Sequence, residues 1–155
     1  YSTFEGGTRV PAIVSWPAVI KKGATSDCLV SQIDWLASLA ALTGTVLPKG
    51  AAPDSYNFLN TWLDKEKKHR PWVIEQAANH TLSVRTKDWK YIEPSKGPKM
   101  VPWGPKIETG YSLQPQLYRM KEKSESKNYA EKEKEKVAEL ARILKEVREG
   151  KKLID

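Results

Sequence analysis

The sequence has almost none of the residues that staple or metallate small proteins. Its 155 residues include one Cys and two His. A single Cys excludes an intrachain disulfide framework, and so few Cys and His exclude the familiar Cys/His zinc spacings. No apolar run approaches the roughly 20 residues needed to cross a bilayer. The opening Tyr1-Ser2-Thr3-Phe4-Glu5-Gly6-Gly7 has no initiating Met, no basic n-region and no apolar h-region, so it is no signal peptide. The chain reads as a piece entered in mid-sequence. A Gly-rich phosphate cradle, a Gly-x-Ser-x-Gly elbow and a His-Glu-x-x-His pair are also missing. By spacing alone, this is part of an enzyme without its reactive centre, or no enzyme.

What is present is charge, tryptophan and proline. Hydrophobic residues make up 39% of the chain, enough for a real core in one ordinary domain or two small ones. The formal charge of +7 is unevenly spread: residues 1–60 are neutral, residues 61–120 carry +5 and residues 121–155 carry +2 with the signs interleaved. The middle excess suits an anionic ligand or plain solubility.

Residues 9–16 form a short apolar run between Pro11 and Pro17, expected as a buried strand with Pro11 near its start. Ser31 to Gly44 predicts a helix. Ser31 opens it, Asp34 answers as the third residue of a capping box, and Gly44 supplies the left-handed stop. Its dense apolar positions predict burial on most sides. Residues 45–70 read as irregular, with a helical turn or two around Tyr56 to Leu63. Asp64 to Arg70, including His69, reads as an exposed, charged hinge.

Three short strands follow, at Trp72–Ala77, Thr81–Arg85 and Trp89–Glu93. Thr86-Lys87-Asp88 closes the second hairpin, and Leu82, Val84, Trp89 and Tyr91 are candidates for buried faces. Residues 94–115 form a long Pro- and Gly-rich loop of the kind often used for function. Gln116–Met120 reads as an edge strand. Val137, Leu140, Ala141, Leu144 and Val147 make one helical stripe, best explained by packing on a sheet, with Gly150 at its end. Asn79-His80-Thr81 is also a glycosylation sequon, a pattern common by chance. Cys28, with no His nearby in sequence, reads as a small buried thiol and not a nucleophile.

Several stretches, in order, are similar to a known family. Glu5-Gly6-Gly7-Thr8-Arg9-Val10-Pro11, the apolar run after it and Trp16-Pro17 resemble a segment of the type I (formylglycine-dependent) sulfatases, the arylsulfatase family. Asp34-Trp35-Leu36-Ala37-Ser38-Leu39 resembles the family's next motif, with Ala37-Ser38 in place of Pro-Thr. Ala52-Pro53-Asp54-Ser55 resembles a following turn. Arg85-Thr86-Lys87-Asp88-Trp89-Lys90-Tyr91 resembles the family's Arg-x-x-x-Trp-Lys-Tyr hairpin. Gln116-Leu117-Tyr118 and Asn128 resemble the strand and turn before the last helix.

The resemblance implies the carboxy-terminal portion of a bacterial glycan sulfatase of mixed α/β (α+β) class. Residues 1–70 would be the end of an alkaline-phosphatase-like α/β body. Residues 71–155 would be a small antiparallel sheet packed by a C-terminal helix. The parent enzyme would use a formylglycine and a divalent cation, usually calcium. Neither the Cys/Ser-x-Pro-x-Arg motif nor any expected catalytic or metal-binding residue lies in this chain, which alone would be inactive. Its partners would be the missing N-terminal catalytic part and a sulfated glycan, with no nucleic acid and no membrane span. Its place would be periplasmic or extracellular.

Sulfate-ester cleavage needs an activated nucleophile and charge stabilisation, so this part would supply the far wall of the substrate pocket. His80 and Trp103 are the main candidates there, as hydroxyl donor and sugar-stacking face, with Asn79 and Lys99 beside them. Arg9 and Glu5 would brace the loop beneath. Most of the positive charge would lie on the hairpins and loop facing the ligand. An α/β body without its other half should also expose apolar surface near residues 10–44. The rival readings are a basic binding module for glycosaminoglycan or nucleic acid, and a fragment of a related phosphatase or phosphodiesterase.

Overall fold

The computed structural model describes residues 1–122 and 124–151. The expected small subdomain at 71–155 therefore has Lys123 and its last four residues outside the described part. The chain divides into two units, one of Tyr1–Val10 with Trp72–Asp155 and one of Pro11–Pro71.

The first unit is built on a four-stranded antiparallel meander in the order β1-β2-β3-β4: β1 Val73–Gln76, β2 Leu82–Arg85, β3 Trp89–Ile92 and β4 Gln116–Arg119. The four strands expected beyond residue 71 are present, and β4 lies at an edge. The register places Ile74, Val84, Tyr91 and Leu117 in one cross-strand row. Because strand side chains alternate between faces, the adjacent row, Val73, Arg85, Lys90 and Tyr118, points to the other side.

The two faces are covered differently. On the apolar face lies a 15-residue helix, Lys134–Arg148, whose Leu140 and Leu144 join Val84, Tyr91 and Leu117 in the core, with Val137 and Ala141 packed against them. Full burial of a Leu stabilises by about 1.5–3 kcal/mol, so this stripe holds the helix on the sheet. The opposite face receives the N-terminal segment, where Phe4 packs edge-on to Tyr118 with centroids 6.1 Å apart. Glu5–Thr8 makes a single helical turn there.

The second unit is organised around Asp34. A 3-10 turn, Gln32–Asp34, leads into the helix Trp35–Thr43, which ends at Gly44 with φ of 67°. The Asp34 carboxylate accepts the Ser31 N–H at 2.8 Å, as the capping box requires, and the Tyr56 N–H at 3.0 Å. It also forms an ion pair with Arg70 in which both side chains are buried. Arg70 reaches on to the Asp54 carbonyl and stacks over the Tyr56 ring at 4.7 Å. Ser38 donates to the Asp34 carbonyl at 2.6 Å and accepts the Phe58 N–H at 2.9 Å. Asp34 and Ser38 thus use one face of the helix to hold the 54–58 segment, which runs into the short helix Leu59–Trp62.

Three expectations for this unit change. Residues 9–16 carry no strand, and Ile13 is 88% exposed. A strand exists only by pairing, and no strand is described within 11–71 to offer it an edge. The helix Trp35–Thr43 is not buried on most sides: Ser38 and Ala40 are buried, while Trp35, Leu36, Leu39 and Leu42 are exposed. Its neighbours in the unit cover one side only. The 64–70 segment is not simply an exposed hinge, because Arg70 is buried and His69 half-buried. The expected exposure of apolar surface near residues 10–44 is found, at Ile13, Val14, Trp16, Val19, Ile33, Trp35, Leu36, Leu39 and Leu42.

Candidate functional site

The long loop at 94–115 is not structureless. Val101 N–H donates to the Ile107 carbonyl at 2.9 Å and Thr109 N–H to the Lys99 carbonyl at 3.0 Å, with a bridge between Met100 and Glu108. Residues 99–109 therefore form a small flap with Trp103 at its tip, 56% exposed.

Two residues anchor the flap, Asn79 at both arms and Thr3 at the second. Asn79, in the turn between β1 and β2, donates through Nδ2 to the Pro98 carbonyl at 3.2 Å and to Thr109 Oγ1 at 2.9 Å. Its Oδ1 accepts the Thr81 N–H at 3.1 Å. On the second arm, Thr3 also donates from its N–H and its hydroxyl to the Thr109 carbonyl, each at 3.2 Å. Contact here is close: a Cβ on Gly110 would sit 1.9 Å from Thr3 Oγ1, and one on Gly97 2.9 Å from Asn79. Gly110 also has φ of 87°, so both its backbone and its surroundings require glycine.

The structure therefore gives the four substrate-wall candidates different settings. Asn79 is buried with its amide engaged by the flap. His80, next in the same turn, is exposed and held at φ of 65°, a left-handed conformation uncommon for non-glycine residues. Lys99 is exposed and lies 3.9 Å from Glu108. Asn79 and Lys99 are brought together around Thr109, Trp103 stands at the flap tip, and His80 faces solvent beside Asn79. Next to this network, Tyr1, Ser2, Phe4, Gly6, Gly7, Ile107 and Glu108 line an open cavity of about 370 Å³.

Beneath the N-terminal turn lies a buried ionic cluster that sequence reasoning missed. Lys90 is fully buried, with Nζ 3.0 Å from Glu5 Oε1, 3.0 Å from Glu75 Oε2 and 3.8 Å from Glu125 Oε1. It also donates to Thr8 Oγ1 at 3.1 Å, and Arg85 Nε donates to Glu5 at 3.2 Å. Glu125 Oε2 accepts the Glu5 N–H at 2.7 Å, while its Oε1 is buried without a hydrogen-bond partner. Burial pushes the Glu5 carboxyl up, but the charges and hydrogen bonds of Lys90 and Arg85 outweigh it and hold the group below its ordinary value. Burial raises Glu125. Glu5 thus ties the N-terminal turn to β2 and β3.

The cluster also uses up charge that the sequence placed toward a ligand. Arg85 and Lys90 are spent on internal carboxylates and Arg70 on Asp34. Arg119 is stacked over the Trp89 and Tyr129 rings at 5.0 and 4.4 Å. Of the +5 middle segment, the Lys residues of the loop and hinge remain at the surface.

The residues present do not fit the calcium that the resemblance implies. Calcium takes six to eight oxygen ligands. The carboxylates of Glu5, Glu75 and Glu125 already surround the Lys90 ammonium. The one metal-ligand grouping among the described residues, Asp27, Cys28 and His69, offers sulfur and nitrogen. Cys28 lies in no Cys-x-Pro-x-Arg motif and so does not fit a formylglycine.

No protein-family profile matches the chain. It is 45% identical over 149 residues to N-acetylgalactosamine-6-O-sulfatase of Bacteroides thetaiotaomicron, covering 96% of this chain and 29% of that protein. It is 39% identical over 70 residues to human N-acetylgalactosamine-6-sulfatase, covering 45% of this chain and 13% of the human one. A solved structure described in connection with the metabolism of multiple glycosaminoglycans by Bacteroides thetaiotaomicron superposes with a TM-score of 0.88 at 44% identity, over 95% of this chain and 30% of the other. The chain thus spans less than a third of the length of these relatives. Matched in sequence over 96% of its length and in fold over 95%, it is a homologue of the carboxy-terminal part of the sulfatases.

Proposed function

We propose that this chain works as the carboxy-terminal part of a longer sulfatase that hydrolyses sulfate esters of glycans. The observation that carries the reading is the 45% identity to an N-acetylgalactosamine-6-O-sulfatase along 96% of the chain. That relationship makes a 6-O-sulfated N-acetylhexosamine the first substrate class to test. Residues 1–70 are assigned to the end of the large α/β domain and residues 71–155 to the small subdomain. The nucleophile and the cation are assigned to the rest of the enzyme, its covalent partner, and the chain alone is expected to be inactive. A periplasmic or extracellular location suits a polymeric, sulfated substrate.

In this reading the flap and the β1–β2 turn grip the sugar away from the reacting sulfate. The exposed Trp103 ring supplies a stacking face, the His80 imidazole meets a hydroxyl, and the Lys99 ammonium meets a neighbouring anionic group. Asn79 serves the same wall by fixing the flap. Such contacts accelerate the reaction to the extent that they tighten in the transition state.

The test is sulfate release by the longer enzyme containing this segment, on 6-O-sulfated N-acetylgalactosamine and on simple aryl sulfates. Preference for the sugar is expected, and no sulfate release from any glycan overturns the reading. His80→Ala and Trp103→Ala are each expected to lower kcat/KM about tenfold, the loss of a contact worth ~1.4 kcal/mol. Unchanged kcat/KM in both would remove them from the substrate wall.

A further inference from the structure

The second unit places three unlike donors together, none of which the sulfatase reading assigns to the substrate wall. An Asp27 carboxylate oxygen, the Cys28 sulfur and a His69 ring nitrogen all lie within 4.8 Å of one another. No sequence spacing pointed to this group, because the fold brings His69 back onto residues far earlier in the chain.

The juxtaposition is built into the backbone. The Leu29 N–H donates to His69 Nδ1 at 3.1 Å, and the Arg70 N–H donates to the Leu29 carbonyl at 2.8 Å. The two segments are thus joined in both directions, and Arg70 is itself fixed by the buried Asp34 carboxylate. An Nδ1 that accepts a hydrogen bond carries a lone pair and no proton, and the Leu29 bond turns that lone pair toward the segment bearing the thiol and carboxylate. This is the form in which imidazole binds a metal.

The donor set selects the ion. Calcium and magnesium demand oxygen ligands, whereas one thiolate, one imidazole and one carboxylate suit zinc and its neighbours. Bond lengths of about 2.0–2.3 Å to such an ion bring donor atoms to within roughly 3.3–3.8 Å of each other. Side-chain rotation closes the remaining ångström or so, since Asp27 is exposed and Cys28 and His69 only half-buried. The same exposure lets the ion enter and leaves room for water as a fourth ligand.

We propose that Asp27, Cys28 and His69 bind one zinc-class divalent ion. Binding releases the Cys28 thiol proton to solvent, replaces the Leu29 N–H at Nδ1 with the metal, and pins residues 27–29 to residues 69–70. The site is a structural clamp, independent of whether the sulfatase reading holds.

Cobalt(II) is the probe, because a thiolate ligand gives it a near-ultraviolet charge-transfer band that oxygen and nitrogen ligands do not. Titration of the protein is expected to produce that band, zinc to abolish it, and zinc to raise the melting temperature. In Cys28→Ser the band is expected to vanish. In Asp27→Asn, a change at an exposed position that leaves the fold intact, the band should persist with affinity weakened about tenfold or more. No band in the unaltered protein, or a band of equal intensity in Cys28→Ser, overturns the proposal, as does an unaltered cobalt affinity in both His69→Ala and Asp27→Asn.

Discussion

Glu5 and Lys90, 85 residues apart in sequence, meet at 3.0 Å. Their bond ties the Glu-Gly-Gly turn at the start of the chain to the middle of the Trp-Lys-Tyr strand. Around Lys90 stand three carboxylates and one further cation, Arg85, with little water to screen them. Removing a cation therefore leaves the carboxylates with more buried charge than they can balance.

Lys90→Met keeps the unbranched stem, one atom shorter, and deletes its charge. Glu5, Glu75 and Glu125 are then left to repel one another, and a loss of about 3–5 kcal/mol is expected. Urea unfolding followed by tryptophan fluorescence measures it. A loss below about 1 kcal/mol would mean that the carboxylates find water instead.

Glu5 and Glu125 titrate in opposite senses. Glu5 sits below its ordinary 4.5, so its contribution is present above the unfolded-state value and is lost as pH falls through the folded one. For Glu125, burial raises the carboxyl above 4.5, with the Glu5 and Glu75 charges pushing the same way against the Glu5 amide and Lys90. Its contribution is present at low pH and lost as pH rises through the folded value. Glu125→Gln keeps an oxygen for the Glu5 N–H and is expected to raise Tm at neutral pH, with no gain near pH 4. Glu5→Gln is expected to lower Tm at neutral pH, with the difference shrinking below about pH 4.5. Melts across that range test both.

Leu140 and Leu144 carry the helix on the sheet and are almost wholly buried. Replacing either with Ala opens a cavity under the helix at an expected cost of about 2–5 kcal/mol. Ala at the exposed Arg142 should cost under about 0.5 kcal/mol. Equal effects at the two kinds of position would show that the helix does not dock as described.

Asp34→Ala removes the carboxylate that answers Ser31, Tyr56 and Arg70 together. It leaves the Arg70 guanidinium buried beside empty space, with an expected loss of about 3–5 kcal/mol. Hydrogen exchange should localise the damage, with protection lost at the Ser31 and Tyr56 amides and kept at Val84 and Leu117 in the sheet.

Much of this architecture was legible because it rests on local rules. The strands show in their alternation, the last helix in its stripe, and the helix at 35–43 in Ser31, Asp34 and Gly44. The 9–16 run was not legible, because Val10, Ile13 and Val14 suit a strand but pairing is a property of the neighbour. Lys90 was hidden for a related reason. Between Trp89 and Tyr91 a Lys reads as the solvent side of a half-buried strand, and nothing near it says that Glu5, Thr8 and Glu125 return to cover that side. Asn79 was visible as a candidate, but its engagement with Pro98 and Thr109 depends on where a distant loop closes.

The doubly anchored flap has a consequence for how such a protein can diverge. Asn79 holds both arms at their base and Thr3 reinforces the second, so residues 102–106 at the tip bear none of the load. A tip of different length or composition costs little more than the slowly growing entropy of a longer loop, and even a backbone cut there would leave both arms tethered. If Trp103 meets the substrate as proposed, ligand preference can be rewritten there while the sheet, the ionic cluster and the helix stay as they are.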